Sequence, residues 1–169
     1  MVIVRAARPD DADGLNAVIQ AVDAFHADGV PHVFRRFDGP ARSAEWFADA
    51  LNNPDSLLLV ATNDTADSTA DSTADGAIVG FLSALVRQNP DLPMFVPRRW
   101  LLVDAVGVLE AYRGQGVGRA LMEQAHAWAQ AQGLAEVELT VWEFNQGAIA
   151  FYAELGYTTV LRRLWKPLR

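Results

Sequence analysis

The chain has 169 residues, of which 51% are hydrophobic and 21% charged, a globular composition with enough apolar surface to bury a core. Its formal net charge of −7 argues against a nucleic-acid or anionic-membrane partner, since both need basic patches. Cysteine is absent, which excludes disulfides, thiolate nucleophiles and thiolate-bound metal together. The length suits one domain over residues 1–169. No apolar run is long enough to span a bilayer, and "MVIVRAARPDDADG" has acids where a signal peptide has its apolar stretch. A soluble cytoplasmic protein is the reading.

In chain order, "VIVRAA" (Val2 to Ala7) reads as a short strand. Pro9, with Asp10, Asp11 and Asp13, opens a helix, because proline is tolerated in the first turn and acids suit its positive end. Val18, Val22 and Phe25 keep helical spacing to about Ala27. Asp28 to Pro40 is loop, and "ARSAEWFADALNN" is a second helix. "SLLLVAT" (Ser56 to Thr62) and "AIVGFLSALV" (Ala77 to Val86) are strands, being short, apolar and β-branched. The Ala-Asp-Ser-Thr repeat between them, residues 64–76, has no apolar surface to bury and is expected to be a mobile hairpin loop.

After the proline-rich stretch Asn89 to Arg99, "WLLVDAVGVL" (Trp100 to Leu109) reads as an interior strand. A helix follows from about Gly116 to Gln132, with Val117, Leu121, Ala125 and Trp128 inward and Gly133 as its C-cap. "AEVELTVWE" (Ala135 to Glu143) alternates as a strand. "NQGAIAFYAELG" is a helix capped by Asn145 and closed by Gly156, and "YTTVLRRLW" (Tyr157 to Trp165) is a final strand. The order β-α-α-β-β-β-α-β-α-β implies an α+β protein with a mixed, centrally antiparallel sheet of six to seven strands and helices on both faces.

The chemistry centres on "YRGQGVGRAL", where Gly114, Gly116 and Gly118 stand between a strand and a helix. Glycine lets the backbone approach an anion closely, and the helix N-terminus offers unpaired amides and a favourable dipole. A nucleoside-triphosphate loop needs Gly-Lys-Ser/Thr, but Arg119 and Ala120 follow Gly118. A dinucleotide fingerprint needs Gly or Ala five residues after the first glycine, where Arg119 or Leu121 stands. Arg113-Gly114-Gln115-Gly116-Val117-Gly118 instead matches Arg/Gln-x-x-Gly-x-Gly/Ala. With "GRALMEQAHAWAQAQG" and "NQGAIAFYAELGY" in the right order, the chain resembles the GNAT superfamily of N-acetyltransferases, most strongly from about Leu101 to Tyr157.

That resemblance implies acetyl-CoA as co-substrate and a GNAT-like acyl-CoA N-acyltransferase fold. The loop of Arg113, Gly114, Gln115, Gly116, Val117, Gly118 and Arg119 would hold the pyrophosphate, through its amides and its arginines. The backbones of Val106 and Val108 would pair with the pantetheine arm, and an amide near Val106 would polarise the thioester carbonyl. Asn145 is either a further cofactor contact or only an N-cap.

Acetyl transfer to an amine needs a neutral nucleophile, a stabilised oxyanion and a proton for the leaving thiolate. Without cysteine, direct attack in a ternary complex is the simplest route. Tyr152 matches the family's acid; otherwise it is packing beside Phe151. Asp104, a charge in an apolar strand nine residues before Arg113, is either a base acting through water or a structural or ammonium-binding group. Some family members carry glutamate there. Glu143 is a second acidic candidate. On the acceptor side, "FHADGVPHVFRRF" offers His26 and Phe34 among others, either as pocket lining or as loop anchors. The histidines lack metal-ligand spacing, so no metal is expected.

The acceptor is a small-molecule or peptide amine, and a homodimer is expected by family analogy, with the last strand and Arg162 and Arg163 at an interface. Three other classes compete. A non-catalytic acyl-CoA-binding regulatory module would keep the loop without turnover. An interaction module would bind no CoA, and a nucleotide-dependent transferase would need the missing Gly-Lys-Ser/Thr.

Overall fold

A computed structural model describes residues 2–63 and 76–168. The element order is β1 (Val2–Ala6), a 3-10 turn (Pro9–Asp11), α1 (Ala12–Gly29), α2 (Ala44–Asn52), β2 (Ser56–Asn63), β3 (Ile78–Gln88), β4 (Arg99–Val108), a second 3-10 turn (Glu110–Tyr112), α3 (Val117–Ala131), β5 (Val137–Leu139) and α4 (Gln146–Glu154). The sheet order is β1-β2-β3-β4-β5. β1 to β4 form an antiparallel meander, and β5 joins β4 in parallel after the α3 crossover.

The run Leu57 to Ala61 is apolar at every position because both faces of β2 are covered. Leu57, Leu59 and Ala61 pack with Leu82, Leu101 and Val103 against Val117, Leu121, Met122 and Ala125 of α3. Leu58 and Val60 point the other way, with Phe81, onto Leu15, Val18 and Ile19 of α1 and Phe47 of α2. The two-residue alternation of the strand thus feeds two separate cores. Each fully buried leucine contributes about 1.5–3 kcal/mol, so these layers hold the sheet rigid beneath the site. Helices do lie on both faces, as expected.

Three expectations differ. The sheet has five strands among the described residues, not six to seven. Residues 157–165 form no strand, although their composition suits one. A strand exists only through its ladder, and this segment has none: Val160, Leu161 and Leu164 are at least 80% exposed. The strand expected over 135–143 shrinks to Val137–Leu139, the residues that pair with Leu101–Val103. The Ala-Asp-Ser-Thr repeat lies outside the described residues except at Gly76.

Asp11 does more than complement a helix end. It is buried, receives both guanidinium nitrogens of Arg5 at 2.7 and 2.8 Å, and accepts from the Arg8 amide at 2.6 Å. Burial raises its pKa, but the Arg5 and Arg8 hydrogen bonds outweigh burial and leave the carboxyl below its ordinary value. A depressed folded pKa gives stability that is present above the unfolded pKa and lost as pH falls through the folded one. Asp11→Ala removes the carboxylate that fixes the half-buried Arg5 and the Arg8 amide and is expected to cost about 1.5–3 kcal/mol at neutral pH, read by urea denaturation. A loss below 1 kcal/mol would mean that water replaces the carboxylate freely.

Candidate active site

The strand–turn–helix at Val108 to Ala131 builds the first wall. Gly114 and Gly116 have φ of +71° and +82°, and a Cβ at either would meet nothing within 4 Å. These glycines are required by backbone conformation, not by crowding. Gly116 is the N-cap of α3, with no side chain capping the helix. Ala120 is the first helical residue to bond back, to the Gly116 carbonyl at 2.9 Å, so the preceding amides are left facing out with the positive end of the dipole. Gly118 is different: its Cβ would sit in ordinary contact with Phe151, at 3.5 Å. Val117 contributes only its backbone, because its side chain is buried in the core.

The side chains of the loop are already engaged. Arg113 Nε donates to the Val108 carbonyl at 3.1 Å, and its guanidinium lies over the Phe25 ring at 5.9 Å. Gln115 Nε2 donates to the Ala111 carbonyl. Arg119 faces Glu154 at 3.7 Å, with both side chains well exposed, a pair worth little in water.

The second wall is an open edge of β4. Leu109 N donates to the Val79 carbonyl across the antiparallel ladder. Two-residue alternation then turns Gly107 toward β3 as well, and sends the amides of Val106 and Val108 to the opposite edge. On that edge β5 accompanies β4 only along Leu101–Val103, so the strands part and leave both amides uncovered. The carbonyl of Val108 is held by Arg113, a contact that sequence reasoning missed and that no local signal announces.

Asp104 sits where β4 bulges. Ala105 faces Ser83 and Val103 faces Ala84, so Asp104 is the extra residue. Val103 packs in the α3-side core and Ala105 in the α1-side core, and the change of face is absorbed at Asp104. This is how a carboxylate stands in an apolar strand: the bulge delivers it to solvent. Partial desolvation still pushes its pKa up, with Arg87 partly opposing. A raised folded pKa makes ionisation cost stability, fully above that pKa and not at all below the unfolded value of 3.8. Asp104→Asn is therefore expected to raise Tm at pH 7, with the gain vanishing as the solution is acidified. A lower Tm at pH 7 would show that the carboxylate is held by a favourable partner instead.

The third wall is α4. Asn145 caps it, its side-chain oxygen accepting from the Ala148 amide at 3.1 Å and its NH2 group left to donate elsewhere. Tyr152 is half-buried against the α3-side core, between Phe151 (5.2 Å) and Tyr157 (5.8 Å), and burial pushes its pKa up. Its phenol therefore stays protonated at neutral pH. Tyr157 is anchored in turn by His126, whose Nε2 lies 2.7 Å from its hydroxyl. Burial, with a contribution from Tyr152, pushes Tyr157 up to about 12, and burial lowers His126 despite Glu123, so the neutral imidazole accepts.

Of the residues expected to border an acceptor, His26 donates from Nδ1 to the Val22 carbonyl at 3.0 Å, and its ring meets Phe34 at 5.5 Å. Glu143 is exposed in the turn before α4, where its carbonyl accepts from Gln146. Phe25, Trp142 and Phe144 join His26 and Phe34 in one aromatic group; Phe25 lies in the stretch read as pocket lining or loop anchors, whereas Trp142 and Phe144 were missed, their only signal being that they flank Glu143. Among the described residues no group of three or more His, Cys, Asp or Glu could hold a metal ion, and no helix is long and apolar enough to cross a membrane.

A mixed sheet whose β4 and β5 part beside a glycine-headed helix is the α+β fold of the GNAT acyl-CoA N-acyltransferases. The family model described as acetyltransferase (GNAT) matches residues 25–157, and the chain belongs to that family. It is 38% identical to N-alpha-acetyltransferase 80 of Mus musculus over 40% of this chain, and 32% identical to N-acetyltransferase 8 of Rattus norvegicus over 48% of it. These matches span only 26% and 35% of the relatives' own lengths. A tetramutant of the BH1408 protein from Bacillus halodurans superposes with a TM-score of 0.86 at 25% identity, covering 98% of this chain and 99% of that one. An aminoglycoside N-acetyltransferase, AAC(6')-Iy in complex with CoA, superposes at 0.73 with 15% identity, covering 100% and 95%, a likeness of fold alone.

Proposed function

We propose that this protein is an N-acetyltransferase that moves the acetyl group of acetyl-CoA to a primary amine by direct attack in a ternary complex. The observation that carries the reading is the left-handed glycine loop at the head of α3, with unpaired amides, beside an uncovered β4 edge. The amides of Gly114, Gly116, Gly118 and Arg119 suit a pyrophosphate. The outward amides of Val106 and Val108 suit an extended polar arm added as a strand, and Asn145 has an NH2 group free to assist. The Val108 carbonyl joins only if Arg113 releases it, and that release would free a guanidinium for the phosphates. Acetyl-CoA supplies the acyl group as a thioester.

The protein's own residues divide the remaining tasks. The Val106 amide polarises the thioester carbonyl, and Tyr152 gives its hydroxyl proton to the departing sulfur. Burial holds the Tyr152 phenol above its ordinary value, so it is a weaker acid than a thiol and helps most as sulfur charge develops. Asp104, on the solvent side of the bulge, accepts the ammonium proton through water. The family match and the names of its relatives support acetyl transfer. A cytoplasmic homodimer is part of the same reading; the exposed Leu161, Leu164 and Trp165 support an interface between copies.

Titration calorimetry with acetyl-CoA, against ATP and NAD as controls, tests the reading, followed by free-thiol release with an amine panel. Micromolar acetyl-CoA binding and amine-dependent thiol release are expected. Binding to ATP or NAD alone, or to none, would overturn it. Binding without turnover on any amine would favour the regulatory module instead.

A further inference from the structure

Five rings, Phe25, His26, Phe34, Trp142 and Phe144, form an apolar group that belongs to neither buried core. Their centroids lie 5.4–6.2 Å apart in tilted and edge-on pairs. Phe25 is 40% exposed and the other four are half-buried. They come from the end of α1, the loop after it, and the turn that follows β5. The group therefore joins the end of α1, on the sheet face opposite α3, to the turn beyond β5. Gly29 makes this possible, since a side chain there would run into the Phe144 ring. Arg113 ties the group to the transfer edge, holding the Val108 carbonyl while lying over Phe25.

Half-exposed rings beside a reaction edge are a wall for something flat and apolar. Resting on the acetyltransferase reading above, we propose that the acceptor is a primary amine carried on an aromatic body, which packs against Phe34 and Trp142 while its nitrogen reaches the β4 edge. The carboxylate of Glu143, between Trp142 and Phe144 in the chain, is exposed and suits a single ammonium. A polyhydroxylated sugar amine would leave hydroxyls unpaired against ring faces, and a polyamine needs more anionic partners than this wall presents.

The test compares kcat/KM for 2-phenylethylamine, spermidine and kanamycin, with acetyl-CoA binding measured on every variant. Phenylethylamine is expected to lead by about tenfold or more. Phe34→Ala and Trp142→Ala are expected to raise its KM about tenfold while acetyl-CoA binding stays unchanged, which also shows that the variants are folded. Phe34→Leu and Trp142→Leu, apolar but not flat, should fall between. Preference for spermidine or kanamycin, turnover of none of the three, or equal loss for all amines would overturn the aromatic acceptor and leave acetyl-CoA binding intact. Failure of the wild type to bind acetyl-CoA would overturn both readings.

Discussion

Gly116→Glu is expected to weaken acetyl-CoA binding by about 10²–10³-fold with little loss of fold. At φ of +82° an L-residue carries roughly 1–2 kcal/mol of strain. No atom lies within 4 Å of the new Cβ, so nothing is forced apart in the core. The loop escapes the strain by rotating residue 116, which turns amides away from the phosphates. Each charge-assisted bond lost costs about 1.5–3 kcal/mol, and tenfold in affinity is about 1.4 kcal/mol. The new carboxylate also repels the ligand. Gly118→Ala is the control, since its φ is not left-handed and its Cβ would meet Phe151 at an ordinary 3.5 Å. Calorimetry on both variants decides it. Equal acetyl-CoA affinity in Gly116→Glu and wild type would reduce the loop to a turn.

Tyr152→Phe is expected to lower kcat by about 10²–10⁴-fold, the span of a lost general acid. The ring remains, with its contacts to Phe151 and Tyr157, so stability and acetyl-CoA affinity should change little. Because burial raises the phenol pKa, wild-type activity should not fall on this group's account until pH exceeds the ordinary value of 10.0. Thiol release by Tyr152→Phe as fast as by wild type would assign Tyr152 to packing alone.

Local patterns made most elements and the loop legible. The helices around Val18 and Leu121 declared themselves by spacing, the one around Tyr152 by its cap and closing glycine, and the strands by short β-branched runs between glycines and prolines. The glycine loop was readable because its requirement is local: positive φ at Gly114 and Gly116 is a property of single residues. The cap at Asn145 was readable for the same reason.

Pairing and packing decided the rest. Residues 157–165 have a strand's composition but no partner, and composition cannot supply a ladder. Asp104 looked anomalous in an apolar run until the register placed a bulge there, and a register belongs to two strands at once. Asp11 read as a helix-end charge, whereas its burial with Arg5 depends on β1 lying against the turn. Phe25 and Phe34 stand more than a hundred residues before Trp142 and Phe144, and only tertiary packing gathers them. The sequence by itself determined the family, the loop and the order of elements as far as α4, because those are written in neighbouring residues. The tertiary structure alone decided which strand edge stays open, where the carboxylate meets water and which rings come together, because each depends on contacts between segments that no local pattern encodes.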